Sequence, residues 1–577
     1  MSHTPNYDAK IKVILDNLEP GEHTCELTGE KWMMTEEEIG WYKKFQVPPS
    51  RCSPMTRMKY QLGFASGVVL WWKTHAITGQ PILSLVHPDS PYKVITDKEW
   101  MSTDFIRSGP QADNTLSFFE QFRSLAYSIP VGALRDDGSN QHSFGVDYIS
   151  CEDCYMIFGA GFSRRIFYGY PVYECEDSVD VTNIKFSRLC HAVNRSTKLH
   201  NCSFAFESHH CLNASFLFDC SHCEFCFGAT NKRYKKYLWF NEQLSKEEWE
   251  ERRKNVSLSS RQVFSEYQQK FLDLVTHAVW PENFNEKNTD SSGEYVDECV
   301  RCSDGFWLSK CTDCDWCWLN MEETQTAYSS WCIWGNDIYA TCDVVSSRNV
   351  KFCFRAWRCQ NMEYCMDCYD SENCFGCVGL RKKKFCLFNV QYTEEEYWQR
   401  VDILKCAMLE RGEYGEYFPA DLSQNGFSYS PGELFFGYSQ EEQTQFHIPF
   451  FDPLRGTMAN PLQHTAEMMS ISQLPDNSQD PRMQELVGKP FYDSILQRPF
   501  SIASHELAFY QSRELPLPNQ HFLTRLRTLV RLSNSPFTDK LSCASCQTTI
   551  NAHRNGTFTD RKIFCRPCYQ RFIEQGG

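Results

Sequence analysis

The stretch that decides the fold runs from Cys190 to Cys226 and reads CHAVNRSTKLHNCSFAFESHHCLNASFLFDCSHCEFC. All of its cysteines are separated by multiples of three residues. The other positions on the same register are small or apolar, for example Val193, Ser196 and Leu199, and the charged residues fall between them. This pattern predicts a backbone that points one residue in three into a narrow interior.

The same spacing extends through most of the cysteine-rich part of the chain. Of the 23 cysteines between Cys151 and Cys386, 22 lie on one of two three-residue registers, whereas random placement would put about one in three on a given register. Only Cys342 is off register. The first register holds Cys151, Cys154, Cys175, Cys190, Cys202, Cys211, Cys220, Cys223 and Cys226. The second holds Cys299, Cys302, Cys311, Cys314, Cys317, Cys332, Cys353, Cys359, Cys365, Cys368, Cys374, Cys377 and Cys386.

Few backbones have a period of three. An α-helix would spread the stripe around its whole circumference, a flat strand would alternate it between two faces, and a 3₁₀-helix is rarely long enough. Two candidates remain, a β-solenoid of short extended segments joined at corners and a bundle of polyproline II helices. Glycine, at 29 of 577 residues, is too scarce for a polyproline bundle. We therefore predict a mainly β protein with a β-helix-like solenoid core.

The cysteine-rich segment is duplicated at an offset of 148 residues. This offset places Cys151 on Cys299 and Phe240 on Phe388 without a gap, which indicates an internal repeat. Each copy ends in a capping box that predicts a following helix, formed by Ser245 with Glu248 and by Thr393 with Glu396.

A second duplication, at an offset of 468 residues, links the two ends of the chain. It aligns Glu38, Tyr42, Pro48, Thr56 and Arg57 with Glu506, Tyr510, Pro516, Thr524 and Arg525. Carried forward, it places His75, Thr78, Asp97 and Trp100 on Cys543, Cys546, Cys565 and Cys568.

These repeats suggest the domain organisation. Residues 412–500 are rich in Pro, Gln, Ser and Asp, and we interpret them as an extended linker. The predicted order is a degenerate helix-plus-ribbon module over 1–110, a first cysteine-lined solenoid unit over 140–242, a helical insert over 243–280, a second solenoid unit over 295–392, a capping helix over 393–411, the linker, and a helix plus zinc ribbon over 501–577.

The strongest chemical motif lies at the C-terminal end. Two CxxC pairs, separated by eighteen residues, have the spacing of a four-cysteine zinc ribbon. Four thiolates close a tetrahedron around Zn²⁺ and hold together a small unit that has little core of its own. The alternative is a pair of disulfides or unrelated thiols. We predict a zinc ion held by Cys543, Cys546, Cys565 and Cys568.

The N-terminal copy has lost this ligand set, and we interpret it as a metal-free relic. Of the aligned positions, His75 and Asp97 carry metal-binding side chains, but Thr78 and Trp100 do not complete the set. A second, half-retained set consists of Cys25 and Cys52, with Thr28 and Met55 where partner cysteines are expected.

The CxxC pairs inside the solenoid, such as Cys365 with Cys368, also resemble zinc ligands. A cysteine-rich stripe of period three produces this spacing automatically, and an inward-facing cysteine is a good small hydrophobic residue. Structural burial is therefore the favoured interpretation, with metal binding and disulfide ladders as the alternatives.

A basic loop recurs in both copies. It holds Lys232, Arg233, Lys235 and Lys236 in the first copy and Arg381, Lys382, Lys383 and Lys384 in the second. These loops are candidates for binding phosphate or an acidic partner. The alternative is a charged loop that covers a solenoid corner.

The composition limits the class of function. A formal net charge of −15 argues against a protein that coats nucleic acid through bulk charge. No apolar run approaches the ~20 residues of a membrane span, and the N-terminus does not resemble a signal peptide. Thirty cysteines without a secretory signal indicate a reducing compartment. We expect a cytoplasmic protein that does not associate with membranes.

One segment resembles a known family. CFGCVGLRKKKFCLFNVQYTEEEYW, from Cys374 to Trp398, is similar to a hallmark segment of an uncharacterised family of cysteine-rich repeat proteins, known mainly from genomes of uncultured bacteria. Further matching segments are 47–49, 412–419, 515–518 and the terminal cysteine pairs. The resemblance implies zinc-ribbon cysteines at both ends, including a CPxCR-like motif. That motif is reduced here to Cys52-Ser53-Pro54-Met55 and is absent after Pro518.

No catalytic motif stands out in the sequence, which has no phosphate-binding glycine loop, GxSxG or HExxH. We therefore predict a non-enzymatic, zinc-binding scaffold or interaction protein whose partners are proteins. The main alternative is a carbohydrate-active β-helix lyase or hydrolase that uses acids and aromatics on one face. The second alternative is a nucleic-acid-associated protein that uses the ribbon and the basic loops.

Overall fold

The computed structural model describes residues 3–109, 112–303, 305–315, 324–333, 336–452, 455 and 468–576, and between 311 and 338 it describes the backbone alone. The described chain is mainly strand with a substantial helical part, and its sheets include a curled half-barrel. The mainly β class is confirmed at this level. Among the described helices, none combines the length and the apolar character that a membrane crossing requires.

The helices are mostly short. They are α1 (Pro5–Asp16), α2 (Glu36–Phe45), α3 (Pro54–Leu62), α4 (Asp97–Ser102), α5 (Phe118–Ser128), α6 (Lys246–Lys254), α7 (Arg261–Thr276), α8 (Glu394–Glu410), α9 (Pro431–Phe435), α10 (Gln440–Gln445), α11 (Met483–Leu486), α12 (Ser504–Ser512), α13 (Phe522–Val530) and α14 (Arg566–Gly576). Single 3₁₀ turns cover Ala420–Leu422, Phe427–Tyr429 and Ile471–Gln473.

The strands outside the cysteine-rich segments form small hairpins and pairs. They are β1 (Gly21–Thr24), β2 (Lys31–Met34), β3 (Trp71–Thr74), β4 (Pro81–Ser84), β5 (Val94–Ile95) and β6 (Val131–Gly132). The first cysteine-rich segment contains β7 (Phe144–Ile149), β8 (Tyr155–Gly161), β9 (Arg164–Gly169), β10 (Val172–Tyr173), β11 (Glu176–Lys185), β12 (His191–Thr197), β13 (His200–Phe206), β14 (Leu212–Phe218), β15 (Phe227–Thr230), β16 (Leu238–Trp239) and β17 (Glu242–Gln243).

The second cysteine-rich segment follows a short strand, β18 (Val279–Pro281). It contains β19 (Gly293–Asp297), β20 (Gly305–Ser309), β21 (Cys311–Asp315), β22 (Thr324–Ile333), β23 (Asn336–Val345), β24 (Arg348–Lys351), β25 (Phe354–Trp357), β26 (Gln360–Glu363), β27 (Met366–Tyr369), β28 (Glu372–Phe375), β29 (Lys384–Leu387) and β30 (Val390–Gln391). The C-terminal strands are β31 (Phe491–Asp493), β32 (Arg498–Phe500), β33 (Asn534–Ser542), β34 (Thr549–Asn555) and β35 (Lys562–Phe564).

The described chain divides into two compact units, each built from segments that are distant in sequence. Unit 1 comprises Met1–Gly67, Lys73–Ala133 and Asn285–Phe451. Unit 2 comprises Val68–Trp72, Leu134–Phe284 and Asp452–Gly577. Unit 1 therefore combines the N-terminal module with the second cysteine-rich copy, and unit 2 combines the first copy with the C-terminal module. The domain boundaries drawn from the sequence stay predictions.

Each unit contains one large sheet of mainly parallel strands. In unit 2, Val179 pairs with His191, and His191 pairs in turn with Ser203. In unit 1, Val350 pairs with Met362, which belongs to the next strand of the ladder. The partner thus lies twelve residues further along the chain at each of these steps.

The backbone explains the three-residue register. The residue before an inward-facing position has left-handed φ, as at His210 (+55°) before Cys211 and Asp219 (+50°) before Cys220. Residues other than glycine adopt this conformation infrequently, although Asn, Asp and His do so more readily than the rest. Because one residue in three bends the chain in this way, every third side chain points to the same side.

The register positions are buried together. In unit 2 they form one cluster that extends from Tyr148 to Leu238, and Cys202 and Cys211 within it are 0% exposed. The second register forms an equivalent cluster in unit 1 that includes Cys353 and Cys386. The prediction that these thiols face a narrow interior is confirmed for the described side chains. Cys311, Cys314, Cys317 and Cys332 lie outside the described side chains.

Inward-facing cysteines and serines form hydrogen bonds with buried backbone groups. The Sγ atom of Cys211 lies 3.3 Å from the carbonyl oxygen of His209 and 3.5 Å from that of Cys220. The hydroxyl of Ser208 donates to the carbonyl oxygen of Phe206 at 3.1 Å and accepts the N–H of Cys220 at 3.2 Å. Buried backbone groups require such partners, and a small polarisable or polar side chain supplies them. The interior is therefore rich in cysteine and serine for a structural reason.

The structure reproduces the first duplication. The side-chain oxygen of Asn241 accepts the N–H of Thr230 at 3.0 Å, and that of Asn389 accepts the N–H of Val378 at 2.8 Å, at an offset of 148 residues. The predicted capping boxes are present at the starts of α6 and α8. At the aligned ends the arginines pair with different acids: Arg57 with Glu38 at 2.7 Å in unit 1, and Arg525 with Asp180, not with the aligned Glu506, at 2.8 Å in unit 2.

The segment over 412–500 differs from the extended linker expected there. Its described residues include α9 to α11, and the side chains of Phe418, Leu422 and Phe427 are 0% exposed. The amide of Gln424 donates to Asp367 at 2.5 Å within unit 1. Aromatic side chains pack the part up to Phe451 into unit 1, and the part from Asp452 belongs to unit 2, despite a composition that is typical of linkers.

Candidate metal centre

The four C-terminal cysteines come from two different local structures. Cys543 follows β33, and Cys546 lies in the turn that leads to β34. Cys565 follows β35, and Cys568 lies in the first turn of α14. The second pair therefore lies at a strand-to-helix junction, whereas a ribbon places both pairs in turns between strands. Pro567 favours this helix start, because the first turn of a helix needs no N–H donor there.

The four sulfur atoms converge. All of them lie within 4.8 Å of one another, and Cys546 Sγ is 3.7 Å from Cys565 Sγ. In a tetrahedral ZnS₄ site with bonds of about 2.3 Å, neighbouring sulfurs are about 3.8 Å apart. The donor set and its spacing therefore fit a zinc ion.

Hydrogen bonds favour the thiolate form of Cys543. Its Sγ atom accepts the backbone N–H groups of Cys565 at 3.2 Å and of Ser545 at 3.4 Å. Burial opposes ionisation, but these donors prevail and lower the pKa of Cys543. A guanidinium N–H of Arg571 donates to Cys568 Sγ at 3.0 Å. Donors of this kind orient ligands and balance the negative charge of a thiolate site.

This cluster is distinct from the interior thiols. Among the described side chains, only these four form a group of His, Cys, Asp or Glu with converging ligand atoms. Burial raises the pKa of Cys175 and of Cys190 to about 12, so both stay protonated at neutral pH and are poor ligands, because a metal requires the thiolate. Contact with Cys211 and other thiols lowers the pKa of Cys223, and neighbouring thiols lower that of Cys377 to about 7 against the effect of burial. Neither of these two belongs to a converging group of ligand atoms among the described side chains.

Most basic side chains of the first loop are engaged in hydrogen bonds or ion pairs within unit 2. Lys232 donates to the carbonyl oxygen of Gly576 at 2.8 Å, and Arg233 forms an ion pair with Asp219 at 2.7 Å. Lys236 pairs with Glu224 at 2.8 Å, and Lys235 is half-buried. The structure does not gather these four side chains around a common point.

The second basic loop borders a cavity of about 420 Å³ in unit 1. Arg381 donates to the carbonyl oxygens of Trp100 and Thr103, both at 2.6 Å, and its guanidinium lies 4.9 Å from the Trp100 ring centroid. Lys383 pairs with Asp104 at 2.7 Å. Lys382 is exposed on the cavity lining, whereas Lys384 points to Glu372 at 2.5 Å.

The structure corrects the positions assigned to the N-terminal relic. His75 lies at the start of a turn equivalent to that of Cys543, because the next residue, Ala76, donates its N–H to Val94 as Ala544 does to Ile563. The helix N-cap that corresponds to Cys565 is then Thr96, not Asp97. The fourth position falls on Glu99 and not on Trp100. One residue fewer between turn and helix causes the shift, which the capping box formed by Thr96 and Glu99 could have revealed from the sequence.

The Cys25 element shows a similar shift. Cys25 and Cys52 lie side by side, and hydrogen bonding from Cys52 lowers the pKa of Cys25 to about 4. The N-cap of α3 is Ser53, however, and its Oγ contacts Thr56 Oγ1 at 2.9 Å. The helix start therefore makes Cys25, Thr28, Ser53 and Thr56 the equivalent positions.

Comparison with known proteins adds no further assignment. No protein-family model, no curated protein and no solved structure matches this chain. The resemblance noted in the sequence therefore stays a prediction.

Proposed function

We propose that the protein is a non-enzymatic, zinc-binding scaffold or interaction protein. One observation carries the proposal: four thiol sulfurs lie within 4.8 Å of one another, whereas the described interior thiols are bonded to the backbone. The cluster could hold a metal ion, and zinc is the ion that four thiolates in closed tetrahedral geometry commonly bind. A site closed by four protein ligands has no open position for substrate, so its role would be structural.

We further propose that the large parallel sheets belong to a β-solenoid with twelve residues in each turn. The pairing of Val179 with His191 and of His191 with Ser203 supports this architecture. Stacks of like side chains support it as well, for example the amides of Asn349 and Asn361, 2.9 Å apart. Such arrays offer extended faces to protein partners.

The buried acids do not favour the alternative of a carbohydrate-active enzyme. Burial raises the pKa of Glu506 to about 7, as in some catalytic acids. This carboxyl group accepts the hydroxyl of Tyr168 at 2.8 Å, in the same buried cluster as Arg525 and Asp180. The adjoining void is too small for a water molecule, so substrate has no access. The cluster is better explained as the contact between α12 and the sheet within unit 2.

The test of zinc binding uses paired variants of the full chain. Cys543→Ser/Cys546→Ser should lose the metal, measured by elemental analysis, while the main thermal transition persists. Cys406→Ser, outside the cluster and half-buried, is the control and should keep the metal. Retention of the metal by the double variant, or its loss from the control, would overturn the assignment.

Anion binding in unit 1 is a second candidate function. The cavity beside the second basic loop is lined by Arg358, Arg381, Lys382 and Lys383 against Asp104 and Asp370. Arg358 and Lys383 pair with these acids, but Arg381 is held by carbonyl oxygens, which carry no formal charge. The cavity therefore has an excess of positive charge that favours a phosphate-bearing ligand.

A further inference from the structure

Four segments of the chain share one local design, which consists of a strand, a tight turn, a second strand and a later helix. The residue at the start of each turn is followed four positions later by a residue of left-handed φ: Gly29 (+70°), Gly79 (+71°), Gln497 (+56°) and Gln547 (+64°). The turn-starting residues are Cys25, His75, Asp493 and Cys543.

The hydrogen bonds of the turns support this equivalence. The N–H of Cys25 donates to Glu30 at 2.7 Å, that of His75 to Gln80 at 2.8 Å, and that of Cys543 to Thr548 at 2.8 Å. In the third segment, Asp493 and Arg498 take the same two positions and are paired as strand residues. Each segment then leads to a helix whose N-cap supplies a third position: Ser53, Thr96, His521 and Cys565.

We propose that these segments are four copies of one metal-binding element. In three copies, which we call closed, hydrogen bonds hold the turn and the helix start together in place of a metal. The proposal rests on zinc binding at Cys543–Cys568. It assigns four equivalent positions in each copy, namely the turn start, the residue three later, the helix N-cap and the residue three after that. The closed copies are Cys25, Thr28, Ser53 and Thr56; His75, Thr78, Thr96 and Glu99; and Asp493, Leu496, His521 and Thr524.

In the second copy, hydrogen bonds join all four positions. His75 Nε2 lies 2.7 Å from Glu99 Oε2, and His75 Nδ1 lies 3.1 Å from Thr78 Oγ1. The hydroxyl of Thr96 donates to the same Glu99 oxygen at 2.6 Å. The imidazole of His75 and the carboxylate of Glu99 thus take the place that a metal ion and two cysteine thiolates would have in a metal-bound copy.

In the third copy, a single carboxylate replaces the metal. Asp493 Oδ2 accepts the N–H of His521 at 2.8 Å and the hydroxyl of Thr524 at 2.6 Å. Its other oxygen accepts the N–H of Leu496 at 3.1 Å. One Asp side chain therefore contacts the other three positions. Only the fourth copy carries four thiols, which cannot satisfy one another by hydrogen bonds of comparable strength.

The proposal predicts that a closed copy can be reopened. In the full chain, Thr28→Cys/Ser53→Cys/Thr56→Cys adds three thiols to Cys25 at the positions assigned from the structure. The matched control, Thr28→Cys/Met55→Cys, completes the CxxC pairs that the sequence suggests with Cys25 and Cys52. After loading with Zn²⁺ and gel filtration, the first variant should carry about two zinc ions per chain and the control about one.

A second variant, in another copy, tests the same proposal in case the first variant does not fold. His75→Cys/Thr78→Cys/Thr96→Cys/Glu99→Cys should also raise the zinc content from about one to about two. Folded variants of both copies that stay at the parental content would overturn the proposal, and so would a gain of zinc by the Met55 control. Absence of zinc from the parent chain would instead contradict the proposed function, so the two failures are distinguishable.

Discussion

The Nε2 atom of His75 lies 2.7 Å from the Oε2 atom of Glu99, at two positions where the C-terminal copy carries Cys543 and Cys568. The same carboxylate accepts hydrogen bonds from the backbone and the hydroxyl of Thr96, and these contacts together lower the pKa of Glu99 to about 2. One charged side chain thus ties the turn to the start of α4 without a metal.

Glu99→Ala should therefore destabilise unit 1 and leave the zinc content unchanged. The variant removes the acceptor of His75 and of Thr96 together, so its midpoint of urea unfolding should fall below that of the parent. Lys98→Ala, an exposed change on the same helix, is the control. Equal midpoints for the two variants would contradict this role of Glu99, as would a lower zinc content in Glu99→Ala.

Ser208 tests the explanation of the cysteine-rich interior. Ser208→Ala leaves the N–H of Cys220 and the carbonyl of Phe206 without this partner in a buried site. The expected loss is about 1–3 kcal/mol in the free energy of unfolding, measured by urea titration. Ser208→Cys should lose less, because Cys154 accepts an N–H in the same way, from Ile166 at 3.5 Å. A cysteine variant less stable than the alanine variant would refute this explanation.

Glu506 should make the stability of unit 2 depend on pH. Burial raises its pKa to about 7, against the opposing charge of Arg525, whereas an unfolded glutamate titrates near about 4.3. The protonated native form is therefore favoured, and its stabilising contribution is lost as the pH rises through about 7. The charged or titratable side chains around Glu506 are Tyr155, Tyr168, Asp180, Tyr510 and Arg525.

The variant Glu506→Gln should remove this dependence. It should gain stability relative to the parent between about pH 5 and pH 8, by at most a few kcal/mol, since one pKa unit corresponds to about 1.4 kcal/mol. Urea unfolding across that range measures the gain, with the exposed change Glu485→Gln as the control. A difference between variant and parent that stays constant with pH would contradict the assignment.

The cavity beside Arg381 and Lys382 should bind inorganic phosphate. Arg381→Gln/Lys382→Gln is expected to weaken binding at least about tenfold, measured by calorimetry at low ionic strength, because it removes two cationic donors. Lys382→Gln alone retains the contacts of Arg381 with the backbone and should weaken binding to a smaller extent. As a control, Lys235→Gln/Lys236→Gln in the basic loop of the first copy should leave binding unchanged. Absence of binding by the parent, or equal loss in both pairs, would contradict this function.

Much of the interior could be predicted from the sequence. The register of Cys211 and Cys220 predicted which residues face inward, because burial constrains side-chain type at every third position. The corners could not be identified in the same way. Left-handed residues such as Phe204 (+51°) and Arg195 (+50°) are not glycines, and the parallel ladder rather than local preference fixes their conformation.

The candidate site was predicted in its residues but not in its local structure. Spacing alone identified the cysteines from Cys543 to Cys568, yet it could not show that Cys565 precedes a helix. The ungapped alignment also selected Asp97 in place of Thr96, because no cysteine marks the ligand position there and such an alignment takes no account of the capping box of Thr96 and Glu99 that places the helix start. The aromatics around Phe418 were assigned to a linker, since composition does not report which surface they cover.

The central claim is that one thiol cluster holds metal while the described interior thiols serve the backbone. Elemental analysis of the purified, unmodified chain tests it most directly. We expect about one zinc ion per chain. A chain free of zinc would contradict the metal centre, and four or more zinc ions per chain would contradict the structural role of the interior cysteines.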